Sequence, residues 1–106
     1  MNLHEYQAKE LLKKFDLPLL KGKFYIEKIE NIESDLTTLS GPPWVVKSQI
    51  HAGGRGAGHF KNKFNNKGGV QVINERKIIS SIATSMMGNI LVTKQTGLEG
   101  KKVNRI

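Results

Sequence analysis

The segment Val45-Val46-Lys47-Ser48-Gln49-Ile50-His51-Ala52-Gly53-Gly54-Arg55-Gly56 constrains this chain more than any other stretch. A buried-looking strand carrying one lysine runs straight into a glycine-rich basic loop. Glycines let backbone N–H groups come close to anionic oxygens that a Cβ would hold off. Arg55 adds charge-assisted donors, and Lys47 adds a compact charge on a rigid strand. The pattern therefore points to phosphate binding. It is not the G-x-x-x-x-G-K-[ST] loop, in which the lysine follows the glycines and a helix opens behind it; here Lys47 precedes them.

Elements on either side can be read from periodicity. Asn2 can cap a first helix with Glu5 three residues on, and Ala8, Leu11, Leu12 and Phe15 form a core-facing stripe that Pro18 stops. An extended piece, 22–26, leads to a second helix with Ile29, Ile32, Leu36 and Leu39 on one face, ended by Ser40-Gly41-Pro42-Pro43. A strand is expected over 44–50, then a long loop from His51 to Gly69 with almost no apolar content. Strands follow at 70–73, 90–95 and 103–106. Between the first two lies a helix capped by Asn74, with Ile79, Ile82, Ala83 and Met86 on one face and Gly88 at its end. Gly97 and Gly100 mark a turn. The expected class is α+β, a two-layer βαβ-βαβ lobe with helices covering one sheet face. A strand stopping at Ile106 without a polar cap suggests a piece of a longer chain.

With 106 residues the chain holds one domain or part of one. No apolar run is long enough to span a bilayer, and Glu5, Lys9, Glu10, Lys13 and Lys14 interrupt any secretory apolar region before Leu20. The absence of cysteine removes disulfides and thiolate chemistry from the chain and fits a reducing compartment. A net charge of +8 calls for or tolerates anionic partners. Nucleic acid is disfavoured among them: only 7% of residues are aromatic, the basic residues are spread along the chain, and no recognition pattern interleaves the two. The chain reads as cytoplasmic in a bacterium or as a mitochondrial matrix protein in a eukaryote.

Three motifs in order carry a resemblance: Asn2-Leu3-His4-Glu5-Tyr6-Gln7-Ala8-Lys9, then Trp44 to Gly56, then Leu91-Val92-Thr93-Lys94-Gln95-Thr96. The chain resembles the N-terminal part of the succinate–CoA ligase β subunit, in its alphaproteobacterial and mitochondrial style. The resemblance implies the first part of an ATP-grasp fold, with residues 1–106 an incomplete N-terminal portion. It implies that Lys47 contacts nucleotide phosphates and that Gly54, Arg55 and Gly56 form the nucleotide-binding loop. It further implies ATP or GTP as nucleotide, Mg²⁺ held by residues beyond this chain, CoA as a substrate of the parent enzyme, and the ligase α subunit as partner. The parent activity would be acid–thiol ligation in the citric acid cycle, through a phosphohistidine on the α subunit. The segment alone is expected not to turn over.

No catalytic or metal-ligating residue is assigned within the chain. His51 reads as a local hydrogen-bonding residue, the His4 to Lys9 segment as helix packing, Met86 and Met87 as core filling, Trp44 as strand-entry packing, and Lys61, Lys63 and Lys67 as solvated charges. Alternatives are another ATP-grasp acyl-CoA ligase, of malate–CoA ligase or ATP-citrate lyase type, or a small basic nucleic-acid-binding module.

Overall fold

Three helices and five short strands make up the fold, in a computed structural model that describes residues 3–17 and 21–106. Helix α1 spans Glu5–Lys13. Its N-cap is His4, whose backbone N–H donates to Gln7 Oε1 at 2.9 Å. Asn2 and Pro18, the expected cap and stop, lie outside the described residues. Acidic Glu5 in the first turn and Lys13 in the last match the helix dipole.

The apolar stripe of α1 does not face the core formed by the described residues. No residue of the helix is buried, and Leu11, Leu12 and Phe15 are 47%, 40% and 70% exposed. The helix is held by its first turn, where His4, Glu5 and Tyr6 make the contacts with the rest of the fold. That attachment directs the later turns outward.

Helix α2 covers Ile32–Leu36 only. Ile32 and Leu36 are buried, while Ile29 and Leu39 pack partly against the same core from outside the helix. Asn31 takes the left-handed conformation (φ 57°) and so fixes the helix start. The Tyr25 hydroxyl donates to Asp35 Oδ2 at 2.6 Å, tying α2 to the extended segment before it.

Strand β1 (Trp44–Lys47) pairs antiparallel with β3 (Val70–Ile73), with Lys47 opposite Val70. The ladder stops at Lys47 instead of continuing to Ile50. Ser48 N–H donates to Gly69 O (2.7 Å) and Gln49 N–H to Arg105 O (2.8 Å), so the backbone changes partners there. The long loop contains a two-residue strand that periodicity could not reveal, β2 (His59–Phe60). It pairs antiparallel with β4 (Ile90–Val92) and inserts Phe60, 2% exposed, into the core. Strand β5 (Lys101–Lys102) lies on the other side of β4.

The α+β class holds, with helices and antiparallel strands in one lobe, but the expected βαβ-βαβ arrangement does not form: the strands divide between two small sheets, β1-β3 and β2-β4-β5, and β3 and β4, the strands joined through a helix, lie in different ones. Helix α3 (Ile79–Met86) crosses from β3 to β4 and buries Ile79, Ala83 and Met86 of its predicted stripe, while Ile82, expected on the same face, is only partly buried against the core. Its start is a 3₁₀ turn over Arg76–Ile78, so Asn74 is not its cap. Gly88, with φ of 81°, takes the left-handed position just after the helix.

Two expected strands are displaced. Beyond Val92 the chain turns, because Thr93 Oγ1 accepts from the N–H groups of Gln95 (3.1 Å) and Thr96 (3.3 Å). The last ladder residues are Lys101–Lys102 rather than 103–106; Val103 is fully buried, and Ile106 exchanges backbone hydrogen bonds with Tyr25 at 2.9 and 3.1 Å. Met86, Leu91 and Val103 form the centre of the core.

Candidate nucleotide-phosphate site

The change of partners after Lys47 places the lysine at the mouth of the glycine loop. Lys47 Nζ donates to Glu5 Oε1 at 2.7 Å. Arg55, eight positions later, reaches back: Nη1 donates to the Ser48 carbonyl at 2.6 Å, and Nη2 lies 3.5 Å from Glu5 Oε2. One carboxylate thus spans two cations, one oxygen on each. The side chains of Lys47, Arg55 and Glu5 retain 38%, 23% and 33% exposure, so solvent reaches all three.

The loop is pinned by its own backbone. Arg55 O accepts from Gly69 N–H (2.8 Å) and Gly58 N–H (3.2 Å), and Gly53 N–H donates to Gln95 Oε1 (2.7 Å). Gly54 has φ of 73°, which favours glycine. At Gly68 an added Cβ would strike the Gly56 carbonyl, with Arg55 O only 2.9 Å away. Gly56 differs: its nearest would-be contact is Val70 Cβ at 3.8 Å, and its backbone is not left-handed. Neither packing nor conformation within the described chain requires glycine there, which leaves room for an outside group to approach the backbone.

Beside the ion cluster, the ring of buried His4 stacks on His51 with centroids 3.9 Å apart. Tyr6 stacks on Phe24 at 4.3 Å, its hydroxyl accepts from Arg105 Nε at 3.1 Å, and its N–H donates to Gln49 Oε1 at 3.3 Å. His4 Nδ1 is buried with no hydrogen-bond partner among the described residues. Burial, then the nearby charges of His51, Arg105 and Arg55, hold His4 below the usual imidazole value of 6.5. The hydrogen bond from Lys47 is the largest influence keeping Glu5 below the ordinary carboxylate value; burial opposes it, and the charge of Lys47 and the Arg55 contact add to it.

A pH dependence follows from His4. Below pH ~6.5 the unfolded chain binds a proton that folded His4 resists, so stability falls as pH drops from there, by at most about 1.4 kcal/mol per pH unit for one group. Glu5 acts in a lower window: its contribution is present above the ordinary carboxylate value and is lost as pH falls through its depressed folded value. Urea midpoints measured between pH 7 and 5.5 should fall in the native chain and fall less steeply in His4→Phe, which keeps an aromatic ring against His51. Equal slopes in the two proteins would contradict the assignment.

All four residues expected from the sequence, Lys47, Gly54, Arg55 and Gly56, lie in this region of the fold. Lys47 and Arg55 converge directly on Glu5, whereas Gly54 and Gly56 flank Arg55 in the loop. Glu5 and His4 were missed as site residues and read as helix packing. Glu5 lies 42 positions from Lys47, so no spacing rule connects them. Their one sequence signal is that the Asn2–Lys9 motif accompanies the glycine-loop motif. Lys61, Lys63 and Lys67 are exposed, as expected of solvated charges. Concavities lined by Lys61, Asn62, Ser85 and Asn89, and by His59, Phe60, Lys63 and Phe64, lie away from the Lys47–Arg55 pair, which occupies a partly exposed face.

A strand lysine stands beside a glycine loop pinned by its own backbone, on an antiparallel α+β lobe. The ATP-grasp domain family matches residues 2–106, and the chain belongs to that family. Among curated relatives it is similar to the succinate–CoA ligase [ADP-forming] subunit beta of Paramagnetospirillum magneticum, 49% identical over 106 residues. The same-named subunits of Rhodospirillum rubrum and Acidiphilium cryptum are 50% identical over 109 residues and 51% over 106. Each alignment takes in the whole of this chain but only 26%, 27% and 26% of the respective relative, so the chain spans about a quarter of their length. Among the described residues no helix is long and apolar enough to cross a membrane.

Proposed function

We propose that residues 1–106 form the N-terminal portion of the ATP-grasp domain of a succinate–CoA ligase β subunit, and that Lys47, Gly54, Arg55 and Gly56 bind the nucleotide phosphates. The observation that carries this reading is the convergence of Lys47 and Arg55 on a single anion beside glycine-loop backbone. Lys47 supplies a compact charge on a mobile stem, and Arg55, braced on the Ser48 carbonyl, supplies directed donors. The loop offers backbone N–H groups held in place before any ligand arrives, which is how charge stabilisation is best supplied to phosphoryl transfer.

The bound nucleotide would supply the phosphoryl group of the overall reaction, in which ATP, succinate and CoA give ADP, phosphate and succinyl-CoA. The ADP-forming name of the relatives favours an adenine nucleotide over GTP. Magnesium does not fit the residues present: the single carboxylate of the cluster is already paired with two cations, and no group of three or more His, Cys, Asp or Glu converges among the described residues. An α subunit as partner and a cytoplasmic location, with a role in the citric acid cycle, complete the proposal.

The test is thioester formation by a full-length subunit carrying this segment, assembled with its α partner and offered succinate, malate or citrate with ATP or GTP. Succinate-dependent, ATP-driven succinyl-CoA formation is the expected result. A preference for malate or citrate would move the protein to a related ligase, and tight oligonucleotide binding without ligation would overturn the reading.

A further inference from the structure

We infer that the Glu5 carboxylate is an internal counter-anion of the Lys47–Arg55 pair, which an incoming polyphosphate displaces from Lys47. The inference rests on the phosphate-binding reading of those two cations. Glu5 places one oxygen 2.7 Å from Lys47 Nζ and the other 3.5 Å from Arg55 Nη2, so two bridged carboxylate oxygens stand where two oxygens of a phosphate could be received. The carboxylate comes from the first residue of α1, 42 positions from Lys47 and 50 from Arg55, so its place there is set by the tertiary fold. The one other ion pair among the described residues, Lys77 with Glu75, is exposed and distant in sequence.

The two cations are held unequally. Arg55 is braced at 2.6 Å by the Ser48 carbonyl and would keep its place without Glu5. Lys47 has Glu5 as its hydrogen-bond partner among the described residues, on a flexible stem with three rotatable donors. A partly exposed pair of this kind costs little to open. A polyphosphate brings several negative charges, so it outcompetes a single carboxylate for Lys47 and repels that carboxylate once bound. With no ligand present, Glu5 relieves the repulsion between the two cations. The consequence is selectivity: a singly charged anion gains little by replacing Glu5, whereas a polyphosphate gains much.

The experiment is an NMR titration of a full-length subunit carrying this segment, with labelled glutamate carboxyls, against inorganic tripolyphosphate, comparing the native chain, Glu5→Gln and Lys47→Ala. Gln keeps the shape of Glu5 and an oxygen acceptor for Lys47 without the charge. Glu5→Gln is expected to bind about three- to fivefold more tightly, the size of a partly exposed ion-pair contribution. In the native chain the Glu5 carboxyl carbon signal should shift in step with saturation as it loses Lys47. Binding in Glu5→Gln that is equal to or weaker than native, or a Glu5 signal that stays still while the ligand saturates, would overturn the counter-anion role. In those cases loss of binding in Lys47→Ala would leave the phosphate site itself intact. Absence of saturable binding in both the native and Glu5→Gln chains would instead overturn the phosphate reading, and this inference with it. Dispersed amide spectra of each variant establish that the fold is kept.

Discussion

Lys47→Ala in a full-length subunit carrying this segment should weaken ATP binding by about ten- to a hundredfold, the loss expected when a charge-assisted hydrogen bond worth roughly 1.5–3 kcal/mol is removed. Lys47 sits at the last ladder position of β1, directly before the backbone leaves the sheet, so its Cα is fixed while its stem moves. No other lysine among the described residues shares its ion pair with Glu5. Truncation should leave the fold intact, because Lys47 is half-exposed and contributes no buried apolar surface. Calorimetric titration with ATP reads the effect. Affinity within twofold of native would remove Lys47 from the site.

The second large effect is structural and falls on Gly68. A methyl group there meets three backbone atoms, the Gly56 carbonyl oxygen, the Gly56 carbonyl carbon at 2.7 Å and Arg55 O at 2.9 Å. No side chain can swing aside, so the loop carrying Arg55 must shift. The same strand of chain accepts no other course, because Gly69 N–H bonds Arg55 O and Gly69 O bonds Ser48 N–H. Overpacking of this kind costs about 1–3 kcal/mol, which lowers Tm by at least about 5 °C in a domain of this size. Gly56→Ala is the matched comparison, since its Cβ finds 3.8 Å of clearance and should leave Tm nearly unchanged. Thermal unfolding of the two variants separates them; a Gly68→Ala chain as stable as Gly56→Ala would contradict the described packing of the loop.

What could be read from the sequence was mostly local. Helix α3 buries most of the stripe that its spacing predicts, β3 occupies its expected span, and Gly88 falls at the left-handed position. The glycine loop and its two cations were legible because the residue types carry their own chemistry. Features set by distant partners were not. The α1 stripe looked core-facing, but the contacts of His4, Glu5 and Tyr6 orient the helix otherwise. The two residues of β2 are too few to show a period, and their strand character comes from β4. Strand β1 ends early because Ser48 and Gln49 find Gly69 and Arg105, neither of which is visible from residues 44–50. Glu5 illustrates the same limit at the site: an ordinary first-turn acid by local rules, it becomes the hub of the ion cluster only through the fold.

We propose that nucleotide phosphates are received where Lys47, Arg55 and the glycine loop meet. The most direct measurement is a crystal structure of the full-length subunit with a non-hydrolysable ATP analogue. The prediction is a phosphate oxygen about 3 Å from Lys47 Nζ and from at least one backbone nitrogen of Gly54–Gly56, with Glu5 turned away from the lysine. Phosphates held elsewhere, with Lys47 still bonded to Glu5 as it is here, would contradict it.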